Sequence, residues 1–197
     1  MEGATSFPAS CAVALKEWAT VLAAIAHGDQ ILLVRKGGLI EPGSGFELVS
    51  TSFVFYPTFE HQAVSYVREP YQASFDQALR ARAPEGQVRI DLGGVAVSCV
   101  QSRDPGIVER LAPFHIYHQS FISQRLKWQP EQPLVLVAVR AFRLMTPQLL
   151  PVSPRYAGCK SWVDLDAPLP LGDVRPVLEE TTFQQRVHDL TALLSRA

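Results

Sequence analysis

Cysteine is scarce in this 197-residue chain: Cys11, Cys99 and Cys159 lie far apart, and none belongs to a Cys-x-x-Cys pair. That excludes a disulfide framework or a zinc site built on paired cysteines, and three free thiols are expected. No apolar run approaches the roughly 20 residues of a membrane-spanning helix. Residues 1–8 carry no basic side chain, so no signal peptide is expected there and a cytoplasmic setting is. Walker spacing and the Gly-x-Ser-x-Gly elbow are both absent, as are internal repeats and low-complexity tracts. Charged residues make up only 19% of the chain against 47% hydrophobic ones, which excludes disorder and allows a sizeable core.

Lysine is also sparse. Lys16, Lys36, Lys127 and Lys160 stand against 14 arginines. Arginine offers a planar five-donor fork suited to phosphates, carboxylates and stacked rings, whereas lysine is a solvated point charge. The net charge of −1 hides a gradient along the chain. Residues 101–165 hold 8 basic and 4 acidic side chains, while residues 1–100 hold 7 and 10 and residues 166–197 hold 3 and 5. The central stretch is the place to look for an anionic partner, unless its excess only pairs with the acidic ends.

Periodicity predicts a mixture of elements. Leu15, Trp18, Leu22 and Ile25 form one stripe of a helix that Ser10 would cap and Gly28 would end. Residues 30–35 read as a strand buried on both faces, and residues 46–56 as a second, rich in Phe, Val and Thr. Residues 60–82 turn helical, with a break near Pro70. Residues 87–100 alternate with a phase slip at Gly93-Gly94, which means a hairpin or a bulge. Asp104-Pro105 opens a short helix, and a longer one is expected over residues 113–127. Strands follow over residues 134–142 and 161–165, separated by prolines that force an extended segment, and a helix closes the chain over residues 182–195. Without regular βαβ alternation the expectation is α+β: a small mixed or antiparallel sheet, or a barrel, with flanking helices.

Six phrases in order carry a resemblance. They are Ala14-Leu15-Lys16-Glu17-Trp18, Leu32-Leu33-Val34-Arg35-Lys36-Gly37-Gly38, Tyr56-Pro57-Thr58 with His61-Gln62, Phe114-His115-Ile116, Arg125-Leu126-Lys127-Trp128 with Pro130, and Tyr156-Ala157-Gly158-Cys159-Lys160-Ser161-Trp162. The chain resembles a bacterial family known only as a domain of unknown function, number 1802, over residues 12–165. The resemblance implies no reaction and no catalytic residue. Similar domains occur joined to a nuclease domain, which implies an accessory role in DNA processing or restriction-modification. One domain is expected over residues 1–197.

Several clusters could carry chemistry. Arg35-Lys36-Gly37-Gly38 puts two cations and two glycines at a strand end, either an anion-binding nest or a solvated end. The stretch is also similar to the opening of Nudix domains, but their metal-holding glycine–glutamate signature is missing. His61, beside Glu60 and Gln62, is a candidate general base or base-edge contact, or else a residue holding its loop. His115 and His118 would share a helix face and could bind a metal, but no acidic cluster accompanies them, so neither metal nor cofactor is expected. Arg125, Lys127 and Trp128, with Arg140, interleave cations and an aromatic; Trp128 is a stacking platform or core. Cys159 beside Lys160 is a nucleophile or a structural thiol.

The leading expectation is an accessory domain that binds nucleic acid. Arg35, Lys36, Arg125, Lys127, Arg140 and Lys160 would meet phosphates, and His61, His115 and Trp128 would meet bases. The alternatives are an enzyme on a small anionic substrate, with His61 as base and Arg35 or Lys36 as clamp, or a protein–protein adaptor using the apolar C-terminal helix.

Overall fold

The computed structural model describes residues 7–36, 46–80, 82–104 and 106–195. The glycine pair Gly37-Gly38, read from the sequence as an anion-binding nest or a solvated strand end, lies outside them. Seven strands form one mixed sheet: β1 (Ser10–Trp18), β2 (Leu32–Arg35), β3 (Ser52–Thr58), β4 (Gln87–Ser102), β5 (Leu134–Pro151), β6 (Trp162–Pro170) and β7 (Val174–Pro176). Their order is β2-β5-β4-β3-β1-β6, with β7 added to β5, and the path is open rather than closed into a barrel. Five α-helices flank it among the described residues: α1 (Ala19–His27), α2 (Ala73–Arg80), α3 (Ile107–Arg110), α4 (Gln119–Lys127) and α5 (Glu180–Leu194). The fold is α+β, as the mixture of periods predicts.

Strand β3 shows how the sheet separates two cores. Phe53 and Phe55 pack into the larger cluster, which includes the helices, whereas Val54 and Tyr56 pack into the smaller one behind it. Successive side chains point to opposite faces, so burial on both faces gives a continuous apolar run. Strand β4 runs unbroken through Gly93-Gly94, with register shifts against β5 at Ile90/Leu92 and Ala96/Ser98. The slip is therefore bulging, not a hairpin turn. A Cβ on Gly94 would lie 2.7 Å from Val139 and 3.0 Å from both Phe53 and Phe55, so only glycine fits there.

Three helix expectations are corrected, the first being residues 60–82, which hold only 3-10 turns at Val64–Tyr66 and Glu69–Tyr71 before α2 starts at Ala73. The stripe from Leu15 to Ile25 belongs to two elements: Leu15 and Trp18 lie on β1, Leu22 and Ile25 on α1. Residues 14–18 pair in parallel with Val54 to Thr58, a distant partner that outweighs the local helical period. Gly28 does end α1, at φ 84°, with its N–H on the Ile25 carbonyl. Likewise the helix expected from residue 113 starts only at Gln119, after a 3-10 turn at Ala112–Phe114 and an extended stretch. Its cap is His118, whose Nδ1 accepts the Ser120 N–H at 3.2 Å. His115 and His118 thus share no helix face, and no cluster of three or more His, Cys, Asp or Glu that could hold a metal occurs among the described residues.

The C-terminal helix is covered by its own chain. Phe183 and Leu190 of α5 are buried in the larger core, and Arg186 donates to the carbonyls of Gly28, Asp29 and Pro113. The apolar face on which the adaptor alternative rests is thereby occupied. No helix among the described residues is long and apolar enough to cross a membrane.

Candidate functional site

Because β1 and β3 are parallel, their C-terminal ends reach the same rim of the sheet. That rim delivers Lys16, Glu17 and Trp18 from β1, and Thr58 with the loop Glu60, His61 and Gln62 from β3. The end of β2 adds Arg35 and Lys36, α4 adds Phe121, Gln124 and Arg125 with Trp128 at its C-terminal cap, and residues 158–161 close the far side. Together they enclose a cleft of about 660 Å³, within the range that holds a small organic ligand. Loops and strand ends carry it while the sheet holds it rigid, the usual division between site and scaffold.

An aromatic cluster forms its floor. The Trp18 ring stacks on Tyr66 at 6.0 Å and meets Phe121 edge-on at 4.9 Å, and Tyr117 stacks on Phe121 at 4.8 Å. Burial pushes the Tyr117 hydroxyl far above its ordinary pKa. Trp128 stands apart on the rim, 40% exposed, with no ring contact among the described residues.

Five cations surround this floor against two carboxylates, Glu17 and Glu60. Arg35 pairs with the buried Glu17 at 3.0 Å, and Glu17 also accepts the Trp18 N–H at 2.8 Å. Lys16 donates to the carbonyls of Tyr156 and Gly158; its burial, then the neighbouring Lys160, lowers its pKa. Lys160 donates to the Arg155 carbonyl and Lys36 to that of Leu126 at 3.2 Å. Burial also lowers the Lys36 pKa, with Glu131 opposing that shift from outside the cleft and Arg125 adding to it. The Arg125 guanidinium lies 5.0 Å over the Phe121 ring, and burial followed by the charge of Arg35 depresses its pKa. Two guanidinium groups held together out of bulk water create a positive potential that favours an anion.

Of the nine residues singled out in the sequence, the cleft gathers six: Arg35, Lys36, His61, Arg125, Trp128 and Lys160. Lys127 is exposed on the last turn of α4 but does not line the cleft. His115 is in the core, where its Nε2–H meets the Val108 carbonyl at 2.8 Å and its Nδ1 accepts the Tyr117 N–H at 3.1 Å. Arg140 is 3% exposed, pairs with Glu180 at 3.0 Å and lies 4.5 Å over Phe183. Both have their polar groups turned to the protein interior, so neither reaches a ligand at this cleft. Sequence reasoning missed Lys16, Glu17, Trp18 and the ring floor. Trp18 carried a signal, but as helix stripe, and the parallel pairing that turns it to the cleft leaves no local mark. His61 is exposed at φ 60°, a left-handed backbone uncommon outside glycine. Cys159, also in the lining, is exposed; Cys11, Cys99 and Cys159 are all free.

The model of a family described as Domain of unknown function (DUF1802) matches residues 14–189. No curated protein matches the chain. Two crystal structures of variants of ZmASCH, a Zymomonas mobilis protein, are similar at 12% and 10% identity. They cover 90% and 89% of this chain and 94% and 96% of theirs, with TM-scores of 0.42 and 0.40.

Proposed function

We propose that this chain, which belongs to the family described as Domain of unknown function (DUF1802), binds single-stranded nucleic acid in the cleft at the β1–β3 rim. One observation carries this reading: five cations and an unpaired indole converge on one half-enclosed space above an aromatic floor. Cations neutralise phosphates, and an exposed ring gives any base a stacking partner. A duplex keeps its bases stacked inside and offers none to Trp128, so single strands are the better ligand. The test is fluorescence anisotropy with labelled single strands and duplexes of DNA and RNA at rising salt. Single strands should bind more tightly, with affinity falling as salt rises. Absence of binding by every one of them at low salt would overturn the reading.

His61 supports a second reading, in which the same cleft acts on a small anionic ester. An exposed imidazole on strained backbone, beside Glu60 in the cleft, could accept a proton. Bound oligonucleotide recovered chemically unchanged after long incubation would remove it.

A further inference from the structure

The cations of the cleft differ in what they already hold. The ammonium groups of Lys16, Lys36 and Lys160 each donate to a backbone carbonyl, and so tie the walls of the cleft together. Arg35 is committed to Glu17 and to the Lys16 carbonyl. Arg125 alone, among the described cations of the cleft, donates no hydrogen bond to the protein. Phe121 covers one face of its guanidinium, leaving the edge donors for an oxyanion. Arg125 is half-buried beside Arg35, so an anion arriving there relieves like-charge crowding as well as filling the fork.

Tryptophans show the same division. Trp18 is locked into the ring floor, and Trp162 packs against Phe46 and Phe53 with its Nε1 on the Glu47 carbonyl at 2.8 Å. Trp128 has neither kind of partner. It follows Arg125 by three residues, at the cap of α4, so the free fork and the free ring meet the cleft from one helical turn. Lys127, on the same turn, is exposed and does not line the cleft.

Resting on the nucleic-acid reading above, we infer that the cleft takes one nucleotide as its unit of recognition, with a phosphate oxyanion on the Arg125 fork and the base on the Trp128 indole. Arg125 and Trp128 are then the selective contacts, and the three lysines shape the cleft and its field. The ligand chemistry is a planar base with an attached phosphate. Its source is either a free mononucleotide or one residue of a strand.

Tryptophan fluorescence of the full chain tests this, with thymidine 5′-monophosphate, thymidine, inorganic phosphate and an oligothymidylate of about eight nucleotides as probes. Thymidine monophosphate should quench the emission saturably, and at least tenfold lower concentrations should suffice than for thymidine or phosphate alone. Trp128→Phe should remove that quench. Arg125→Gln should abolish the preference for the monophosphate over thymidine, and Arg125→Lys, which keeps charge but not the fork, should restore it only in part. Lys127→Gln should leave it unchanged, and thermal melts should show every variant folded. A monophosphate that quenches no better than thymidine, or a preference that survives Arg125→Gln, would overturn the inference. Binding of the oligonucleotide without the monophosphate would also overturn it, while sparing the strand-binding reading. The monophosphate alone binding would support it and remove strand binding, and no binding by either would remove both.

Discussion

His115 lies in the core with one proton and two fixed partners. Its Nε2–H points at the Val108 carbonyl and its Nδ1 receives the Tyr117 N–H, so the folded protein accepts only the neutral ring. Burial therefore pushes its pKa down to about 4, and the Arg68 charge adds to that, although the bond to Val108 opposes it. In the unfolded chain the ring titrates near 6.5. Between these values the unfolded state binds a proton that the folded state refuses. The stability this neutral ring contributes is thus complete above pH 6.5 and is lost as pH falls towards 4, by about 3 kcal/mol in all. Denaturant midpoints measured at pH 7 and pH 5 should drop less in His115→Gln, whose amide can still donate to Val108, than in the parent. Equal drops in the two proteins would show that His115 is not the group involved. The residue type alone suggested a ligand contact. What reverses that is burial: Val108 and Tyr117, whose ring lies 5.4 Å from the imidazole, meet it only once the 3-10 turn is placed.

At the level of elements, what could be read from sequence depended on how local the pairing is. The strand at Leu32–Arg35, the long apolar strand beginning at Leu134 and the helix ending near Leu194 each show in their own periodicity. Strand β1 does not, because Leu15 and Trp18 happen to extend the stripe of α1, and only the parallel pairing with Val54 to Thr58 decides the matter. Gly93-Gly94 falls between these cases: the phase slip was visible, but its meaning depended on neighbours. Those neighbours make the two glycines unequal. Gly94 faces Val139, Phe53 and Phe55, all fixed in the core. Gly93 faces the Phe7 ring, which would lie 2.1 Å from an added Cβ and which stacks on Phe142 at 4.9 Å. Gly94→Ala should cost about 1–3 kcal/mol as an overpacking defect. Gly93→Ala should act by expelling Phe7, so adding Phe7→Ala to it should cost far less than Phe7→Ala does in the parent. Urea titrations of the parent, the three single variants and the Gly93→Ala/Phe7→Ala double variant measure both effects. Strict additivity of the Gly93 and Phe7 changes would refute that account of Gly93.

The whole molecule carries a charge of −1, yet its cleft gathers five cations from four separate segments. The sequence showed the basic excess but not its focus: Lys16 and Arg35 come from the acidic first half, while Arg140, from the basic middle, is turned inward onto Glu180. A field this local on a weakly acidic body gives a definite salt dependence. Each phosphate neutralised in a single strand contributes about −0.7 to the slope of log affinity against log salt. With five cations at most, the slope should be no steeper than about −3.5, and one strand should bind per molecule without coating the rest of the surface. Arg125→Ala should flatten the slope by about 0.7, since one neutralised phosphate is lost. Trp128→Ala should instead weaken binding by about 1–3 kcal/mol at every salt concentration and leave the slope alone, because stacking releases few ions. Its side chain is on the rim rather than in the core, so this variant should melt close to the parent. A slope well steeper than about −3.5, or one that Arg125→Ala does not change, would place the phosphate contacts on a surface other than this cleft.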